Sequence, residues 1–145
     1  MFKDAAELIY EFPWLAPRDD WDEPMEFYKE SDAWTEVDGL PEGWKEGFLE
    51  DMLYEIDEVI KEYDCEDTYR VTSAMDYLGV LNWAHTGFPA SARPALTKII
   101  DNYKKVSTET CMICGRIGKM YQANGQLIVR CDLHKPDEED LDVLL

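Results

Sequence analysis

Histidine and long apolar runs are what this chain of 145 residues has least of. It has only two histidines, His85 and His134, which weighs against active sites built on several histidines. No apolar stretch approaches the ~18 residues of a membrane-spanning helix. Glycine-rich phosphate loops, the G-x-S-x-G nucleophile elbow and the H-E-x-x-H motif are missing as well. These absences weigh against an enzyme and against a membrane protein.

Cysteine is scarce too, yet three of the four cysteines fall into one pattern with a histidine. The chain reads Cys111-Met-Ile-Cys114-Gly and later Cys131-Asp-Leu-His134. Two ligand pairs, each with two intervening residues, are typical of tetrahedral zinc coordination. We predict a Zn²⁺ ion bound by Cys111, Cys114, Cys131 and His134. The alternative is a pair of small buried cysteine turns with an unrelated histidine.

The composition of this set predicts a structural rather than a catalytic metal. Four protein ligands complete a tetrahedron, whereas a catalytic zinc keeps one position for water or substrate. Zinc deaminases also need a glutamate beside the metal, and residues 119–134 contain none. We therefore expect the metal to stabilise the local fold, with binding and folding coupled.

The segment between the ligand pairs predicts a small hairpin. Residues 119–122 and 126–130 have strand character, and Asn124-Gly125 is a strong signal for a type I′ turn. This layout is that of a zinc ribbon or a treble clef. The two differ in whether a helix follows the second ligand pair, and Pro136 with the acidic run after it leaves both possible.

The remaining cysteine and histidine, Cys65 and His85, are not expected to be catalytic residues. Cys65 follows a run of carboxylates, which disfavour a thiolate, and His85 is expected to be a structural or surface residue. A chain whose other cysteines bind metal has a reduced pattern rather than a disulfide framework. The first residues lack the basic start and long apolar run of a signal peptide. Together these features predict a cytoplasmic protein.

Charge is strongly segregated along the chain. Residues 1–70 hold 23 acidic and 6 basic side chains (−17), residues 71–135 hold 4 and 8 (+4), and residues 136–145 hold 5 and 0 (−5), which sum to −18. An acidic surface repels nucleic acid and attracts basic surfaces. The alternative is that the charge serves solubility alone.

Periodicity predicts the elements of the body. Residues 3–12 form a short helix, residues 44–63 a long amphipathic helix, residues 69–73 and 78–83 a hairpin separated by residues 74–77, and residues 93–106 a second amphipathic helix with Ser91 as N-cap. Residues 18–42 have no clear assignment. Their aromatic side chains are expected to pack on the core, or else to anchor a partner: Trp21, Phe27, Tyr28 and Trp34.

The predicted fold class is α+β. Two amphipathic helices lie around a small antiparallel sheet, followed by a C-terminal zinc-ribbon or treble-clef-like module. We assign residues 1–106 to an acidic body, residues 107–135 to the zinc module and residues 136–145 to an acidic tail. Because no low-complexity linker separates them, the module should pack on the body.

The outward face of the long helix is rich in carboxylates, among them Asp57. The simplest interpretation is a solvated surface. A sharper hypothesis is that carboxylates spread over roughly 25 Å of helix imitate a row of phosphates. The residues then predicted to bind a partner are Glu46, Glu50, Asp51, Glu55, Glu58 and Glu62.

Residues 40–135 resemble a family of largely uncharacterised phage and bacterial proteins. The resemblance is carried by Gly43-Trp44, the strand region of residues 78–83, Ser107, and the motifs that begin at Cys111 and Cys131. It implies a zinc-bearing α+β protein, often encoded on mobile elements, with no established activity. The acidic N-terminal segment and tail depart from that pattern.

Three functional hypotheses follow. The first is a non-enzymatic, phage-encoded interaction protein that binds a basic surface of a host defence or nucleic-acid-processing complex. In the boldest form of this hypothesis, the protein is an inhibitor that mimics DNA. The second is a small zinc-dependent nucleic-acid-binding regulator. The third is an enzyme of unknown type. In the second, the contacts to phosphates and bases would come from Arg116, Lys119, Tyr121, Arg130 and Lys135.

Overall fold

The computed structural model describes Phe2, residues 4–19, Trp21, residues 23–25 and residues 30–142. The main elements are α1 (Ala5–Glu11), α2 (Glu42–Trp44), a π-helical turn (Lys45–Leu49), α3 (Glu50–Glu62), β1 (Arg70–Tyr77), β2 (Val80–Thr86), α4 (Arg93–Ser107), β3 (Lys119–Ala123) and β4 (Gln126–Arg130). Strands β1 and β2 form one antiparallel hairpin, and β3 and β4 form another. The predicted α+β class is confirmed. Among the helices of the described residues, none combines the length and apolar character that a membrane crossing needs.

The long helix, residues 42–62, changes its helix type along its length. Pro41 precedes its first turn, α2 passes into the π-helical turn, and α3 carries it on to Glu62. The sequence predicted one regular helix over residues 44–63, so the wide turn is a departure from that prediction. A π-helical turn adds one residue to a helical turn and shifts the faces that follow it.

The core lies between the helices and the first hairpin. Helix α4 packs on both α3 and β2. Helix α3 buries the side chains expected from its apolar spacing, among them Met52, Leu53, Ile56 and Ile60. Against them lie Leu81 of β2 and Leu96 of α4, both fully buried. Burial of such a side chain stabilises the folded state by about 1.5–3 kcal/mol, so this cluster anchors the body.

A bulge lets β1 present two buried residues three positions apart. The register shifts between Val71 and Ser73, which leaves Thr72 as the extra residue. Because side chains alternate along a strand, Val71 and Ala74 can both face the core only if one residue is inserted between them. Both are buried.

The turn of the first hairpin differs from the prediction. Residues 74–77 belong to β1 rather than to the connection, and the turn is Leu78-Gly79, with φ of 54° and 84°. The Asp76 carboxylate accepts a hydrogen bond of 2.8 Å from the Gly79 N–H. Leucine rarely adopts a positive φ, so the sequence favoured a strand at Leu78. Ser91 was also expected to cap α4, but the N-cap is Ala92 and makes no side-chain hydrogen bond.

One carboxylate predicted on the solvated face of the long helix is buried instead. Asp57 accepts a hydrogen bond of 3.0 Å from the Trp14 indole N–H and forms a 2.7 Å ion pair with Lys61. A buried indole N–H needs an acceptor. The short 3-10 turn Pro13–Leu15 brings Trp14 to α3, and this contact turns Asp57 inward.

The expectation that the aromatic side chains of residues 18–42 pack on the core is wrong for two of them. Trp21 is 85% exposed and Trp34 is 42% exposed. Near Trp21, Arg18 forms a bridge with Pro24, and Asp19 accepts hydrogen bonds from the N–H groups of Trp21 and Glu23. These local contacts replace packing on the core for Trp21. Phe27 and Tyr28 lie outside the described residues.

The C-terminal module packs directly on the long helix, as the sequence predicted. The Gly43 N–H donates a 2.8 Å hydrogen bond to the Met112 carbonyl, and the Trp44 indole N–H donates to the Thr110 carbonyl at 3.1 Å. A Cβ at Gly43 would lie 1.9 Å from the Cys111 carbonyl oxygen, and one at Gly47 would lie 2.8 Å from Thr110 Cγ2. The two glycines, four positions apart, thus form a flat surface on which the module sits.

Replacement of Gly43 by alanine should destabilise the protein although alanine is the better helix former. Helix propensity alone predicts a gain of about 1 kcal/mol. The clash with the Cys111 backbone should outweigh it and give a net loss of about 1–3 kcal/mol, as overpacking does. Urea denaturation measures this difference. Gly39→Ala is the matched control, because nothing lies within 4 Å of a Cβ there, and equal stability of the two variants would contradict the close packing.

Candidate metal centre

The first ligand pair lies on a tight knuckle between α4 and β3. The Cys111 N–H donates to the Arg116 carbonyl at 2.8 Å, and the Gly115 N–H donates to the Cys111 carbonyl at 2.9 Å. Gly115 has φ of 81°, which glycine adopts without strain. The curled backbone brings the side chains of Cys111 and Cys114 to the same side of the knuckle.

The second ligand pair, Cys131 and His134, lies on a second knuckle that follows β4. Backbone hydrogen bonds fix this knuckle against the first. Val129 of β4 accepts a 2.9 Å hydrogen bond from the Met112 N–H, and the His134 N–H donates to the Cys131 carbonyl at 3.1 Å. The antiparallel register of β3 and β4 returns the chain to the knuckle. The turn between the strands is Asn124-Gly125, with φ of 52° and 78°, which confirms the predicted type I′ turn.

All four predicted ligands come together. Their ligand atoms lie within 4.8 Å of one another, and the group can hold a metal ion. Cys114 Sγ lies 3.6 Å from Cys131 Sγ, and His134 Nδ1 lies 3.2 Å from Cys131 Sγ and 3.8 Å from Cys111 Sγ. The sulfur atoms are too far apart for a disulfide bond of ~2.05 Å, and all cysteines are free.

The knuckle prepares Cys111 to act as a thiolate ligand. Burial opposes ionisation, but the N–H groups of Cys114, Ile113 and Cys131 point at its sulfur and lower the pKa of Cys111 to about 6. The pKa of Cys114 is raised. There the Arg116 N–H favours the thiolate, but burial and the neighbouring sulfur atoms outweigh it. A cation placed among these groups would favour ionisation of both.

The chain after His134 folds back onto the second hairpin. Leu141 forms a bridge with Ala123, the Asp142 N–H donates to the Gln122 carbonyl at 2.9 Å, and Asp142 Oδ2 accepts from the Gly125 N–H at 2.9 Å. A short 3-10 turn, Glu138–Asp140, precedes this contact, and up to residue 142 no α-helix follows the second ligand pair. Of the two layouts that the sequence left open, this favours the ribbon.

The remaining cysteine and histidine lie apart from this cluster. Cys65 is buried, and burial followed by the charges of Glu66 and Asp64 raises the pKa of its thiol. His85 Nδ1 lies 2.9 Å from the Tyr69 hydroxyl. Burial, with the nearby charge of Arg93, lowers the pKa of His85. Both environments favour the neutral side chain.

The carboxylates predicted to bind a partner divide into two groups. Four of them, separated by four, three and four positions, share the exposed face of α3: Asp51, Glu55, Glu58 and Glu62. We call these four residues the acidic row. Glu46 and Glu50 lie elsewhere and line a cavity near α1.

One member of the acidic row also supports the packing of α3 on α4. The Tyr103 hydroxyl donates a hydrogen bond to the Glu55 carboxylate. Burial and this negatively charged acceptor raise the pKa of Tyr103, so the phenol stays protonated and keeps donating. All four carboxylates of the row, Glu55 included, are exposed.

The basic residues of the module lie near the metal centre. Lys119 and Arg130 are cross-strand neighbours in the β3–β4 register, and the Lys119 ammonium lies 5.8 Å from the centre of the Tyr121 ring. Arg116 and Lys135 are exposed on the two knuckles. The five residues named for nucleic-acid binding therefore belong to one small module.

Sequence reasoning missed two features of the long helix. One is the contact of Gly43 and Gly47 with the first knuckle, for which the i, i+4 spacing of two glycines on an amphipathic helix was the available signal. The other is the cavity lined by Glu46 and Glu50. No local sequence pattern predicts this cavity, because it forms where α1, residues 33–38 and the long helix meet.

Comparisons with known proteins add no relative to this picture. No family model matches the chain, and neither a curated protein nor a solved structure is significantly similar to it.

Removal of metal should unfold the module. We expect one equivalent of metal ion per chain by elemental analysis. A strong chelator should abolish the amide-exchange protection of β3 and β4, because the metal would tie Cys111 and Cys114 to Cys131 and His134. Cys131→Ser should have the same effect.

The matched control is Cys65→Ser, which changes a buried thiol outside the cluster and should retain the metal. A protein that lacks metal but keeps full protection of β3 and β4 would contradict this role of the cluster.

Proposed function

We propose that this protein is a non-enzymatic interaction protein with a structural zinc ion, and that its acidic surface binds a basic surface of another macromolecule. The single observation that carries the proposal is the acidic row on α3, set on a body that the closed ligand cluster holds in shape.

Zinc is the metal that best fits the donor set. Three thiolates and one imidazole are soft to borderline ligands, which suit Zn²⁺ rather than Mg²⁺ or Ca²⁺. With Zn–S of ~2.3 Å and Zn–N of ~2.05 Å, tetrahedral coordination separates two sulfurs by ~3.8 Å and a sulfur from a nitrogen by ~3.5 Å. The separations of 3.6 Å for Cys114–Cys131 and of 3.2 and 3.8 Å for the two sulfur–His134 pairs agree with these values.

A structural role follows from the number of donors. Cys111, Cys114, Cys131 and His134 together supply all four positions of a tetrahedron, so none is left for a substrate. The ion would supply a fixed cross-link between the two knuckles. The residues around it do the rest: backbone N–H groups stabilise the thiolates, and the glycines of the long helix hold the first knuckle.

The acidic row has a charge density near that of a nucleic-acid strand. Asp51 and Glu62, its first and last residues, are eleven positions apart, or ~16 Å at ~1.5 Å per residue. Four carboxylates fall in that span, and one DNA strand at ~3.4 Å per phosphate places about five charges in the same distance. A Lys/Arg surface built for phosphates would therefore find a comparable row of anions here.

The source and partner in this proposal come from the resemblance of residues 40–135 to phage and bacterial proteins. A phage-encoded protein of this kind would act on a host defence or nucleic-acid-processing complex. Such complexes carry basic surfaces for nucleic acid, and an acidic row that occupies one would act as an inhibitor. Its association would be salt-sensitive because counterions are exchanged at the surface.

Reversal of three exposed carboxylates of the row should abolish this association. With Asp51→Lys, Glu58→Lys and Glu62→Lys combined, capture of the basic partner from host lysate should fall at least about tenfold, because attraction becomes repulsion. Capture by the wild type should itself fall as salt is raised. Glu55 is left unchanged because it holds Tyr103.

The matched control is Asp137→Lys, Glu138→Lys and Glu139→Lys, which changes the net charge equally but lies in the exposed C-terminal segment. If both triple variants lose the partner to the same extent, overall charge rather than the acidic row determines binding. If neither loses it, the acidic surface is not the binding surface.

The second candidate is a zinc-dependent nucleic-acid-binding regulator. It is favoured by one observation, the clustering of Lys119, Arg130 and Tyr121 on the second hairpin. In that case a mobility-shift assay at low salt should show a complex with single-stranded DNA or RNA, weakened by Lys119→Ala. The acidic interaction protein should show no shift, so the assay separates the two candidates.

A further inference from the structure

A cavity on the acidic half of the molecule is not part of the acidic row. It lies between α1, residues 33–38 and the start of the long helix, and its volume is about 400 Å³. Pockets that hold small ligands or side chains have volumes of about 300–1,000 Å³. Exposed residues lie at its mouth, among them Asp4, Asp38 and Glu46. We call this cavity the acidic groove.

The floor of the acidic groove is apolar. Its accessible apolar surface comes from four partly buried residues, Phe2, Ala5, Leu8 and Ala33. Val37, Leu49 and Leu53 of the core also line it but are almost fully buried. An apolar side chain placed there would gain the free energy of leaving water. A hydrated ion or a sugar–phosphate would gain nothing from these walls.

The rim of the acidic groove is anionic. Five carboxylates line it, Asp4, Asp38, Glu42, Glu46 and Glu50, and one ammonium, Lys45. Among the described lining residues this gives 5 negative and 1 positive charges, a net of −4. Lys45 forms a 3.2 Å ion pair with Glu42, and Asp4 and Asp38 accept hydrogen bonds from neighbouring N–H and hydroxyl groups. The rim as a whole keeps a net negative charge.

The apolar floor and the anionic rim together favour one class of ligand. Anionic ligands are repelled by the rim, and a purely polar cation makes no use of the floor. A peptide segment with an apolar side chain flanked by lysine or arginine satisfies both, because the apolar group fills the cavity while the cations meet the carboxylates.

We propose that the acidic groove is the docking site for such a segment of the partner protein, a short basic stretch that inserts one apolar side chain. The proposal rests on the proposed function in that it takes the partner to be basic. It adds a second contact, with Glu46 and Glu50, at which an apolar group and not charge alone is recognised. The acidic row then steers a basic partner, and the groove selects the correct segment.

The test uses two fluorescein-labelled, lysine-rich peptides of equal charge, one with a central leucine and one with serine in its place. Fluorescence anisotropy with the full-length, metal-loaded protein should show at least about tenfold tighter binding of the leucine peptide, the ratio expected from burial of one aliphatic side chain. This preference should persist at high salt, where binding of the serine peptide weakens.

Two variants locate the site. Ala33→Phe should fill the groove, since Ala33 lines it, and should remove the preference for leucine. Ala84→Phe, at an exposed position of β2, is its matched control and should keep it. Glu46→Gln should weaken both peptides about twofold or more, whereas Glu58→Gln in the acidic row should leave the leucine preference intact.

The outcomes are distinguishable. Equal, salt-sensitive binding of the two peptides would overturn the groove while leaving the acidic interaction protein in place. A leucine preference unchanged by Ala33→Phe would overturn the groove as the site. Binding of neither peptide would overturn the groove and would count against a basic partner altogether.

Discussion

The structure depends on one close contact, in which the backbone of the long helix touches the backbone of the first cysteine knuckle. Gly43 and Gly47 leave no side chain between them and residues 111–115. Because the Gly43 N–H also donates a hydrogen bond to the Met112 carbonyl, the position of the Cys/His cluster relative to the helix is fixed by direct backbone contact. The proposed zinc ion would thus stabilise more than its own loop, since the knuckle that it holds is part of the wall of the body.

The helix that receives the metal module also carries the acidic surfaces, and the two features constrain each other. Its apolar side packs in the core and its two glycines pack on the first knuckle. Most of its carboxylates therefore lie at exposed positions or line the groove. Like charges on one helix face cost a few tenths of a kcal/mol each. That cost is tolerable on an exposed surface, where water and salt screen the charges. Some of these carboxylates also have partners within the protein: Asp57 accepts from the Trp14 indole, Glu55 accepts from the Tyr103 hydroxyl, and Glu42 pairs with Lys45.

The acidic row and the acidic groove differ in what they can recognise. The row is an exposed charged surface with no pocket. It increases the rate of encounter with basic surfaces but discriminates weakly among them. The groove offers an apolar floor under a ring of carboxylates, which discriminates by the side chain that fits. A partner that contacts both would be attracted by the first and selected by the second. Glu46 and Glu50 line the groove, whereas the row begins at the next residue, Asp51.

Several features were determined by the sequence alone. The C-x-x-C and C-x-x-H spacings predicted the cluster, Asn124-Gly125 predicted the turn, and apolar periodicity predicted both long helices, because each is a local pattern with a direct geometric consequence. Only the tertiary structure decided the exposure of Trp21, the burial of Asp57, the packing surface of Gly43 and the existence of the groove. These depend on which distant segments meet, and the free energy of such contacts comes from burial and steric fit that no window of neighbouring residues contains.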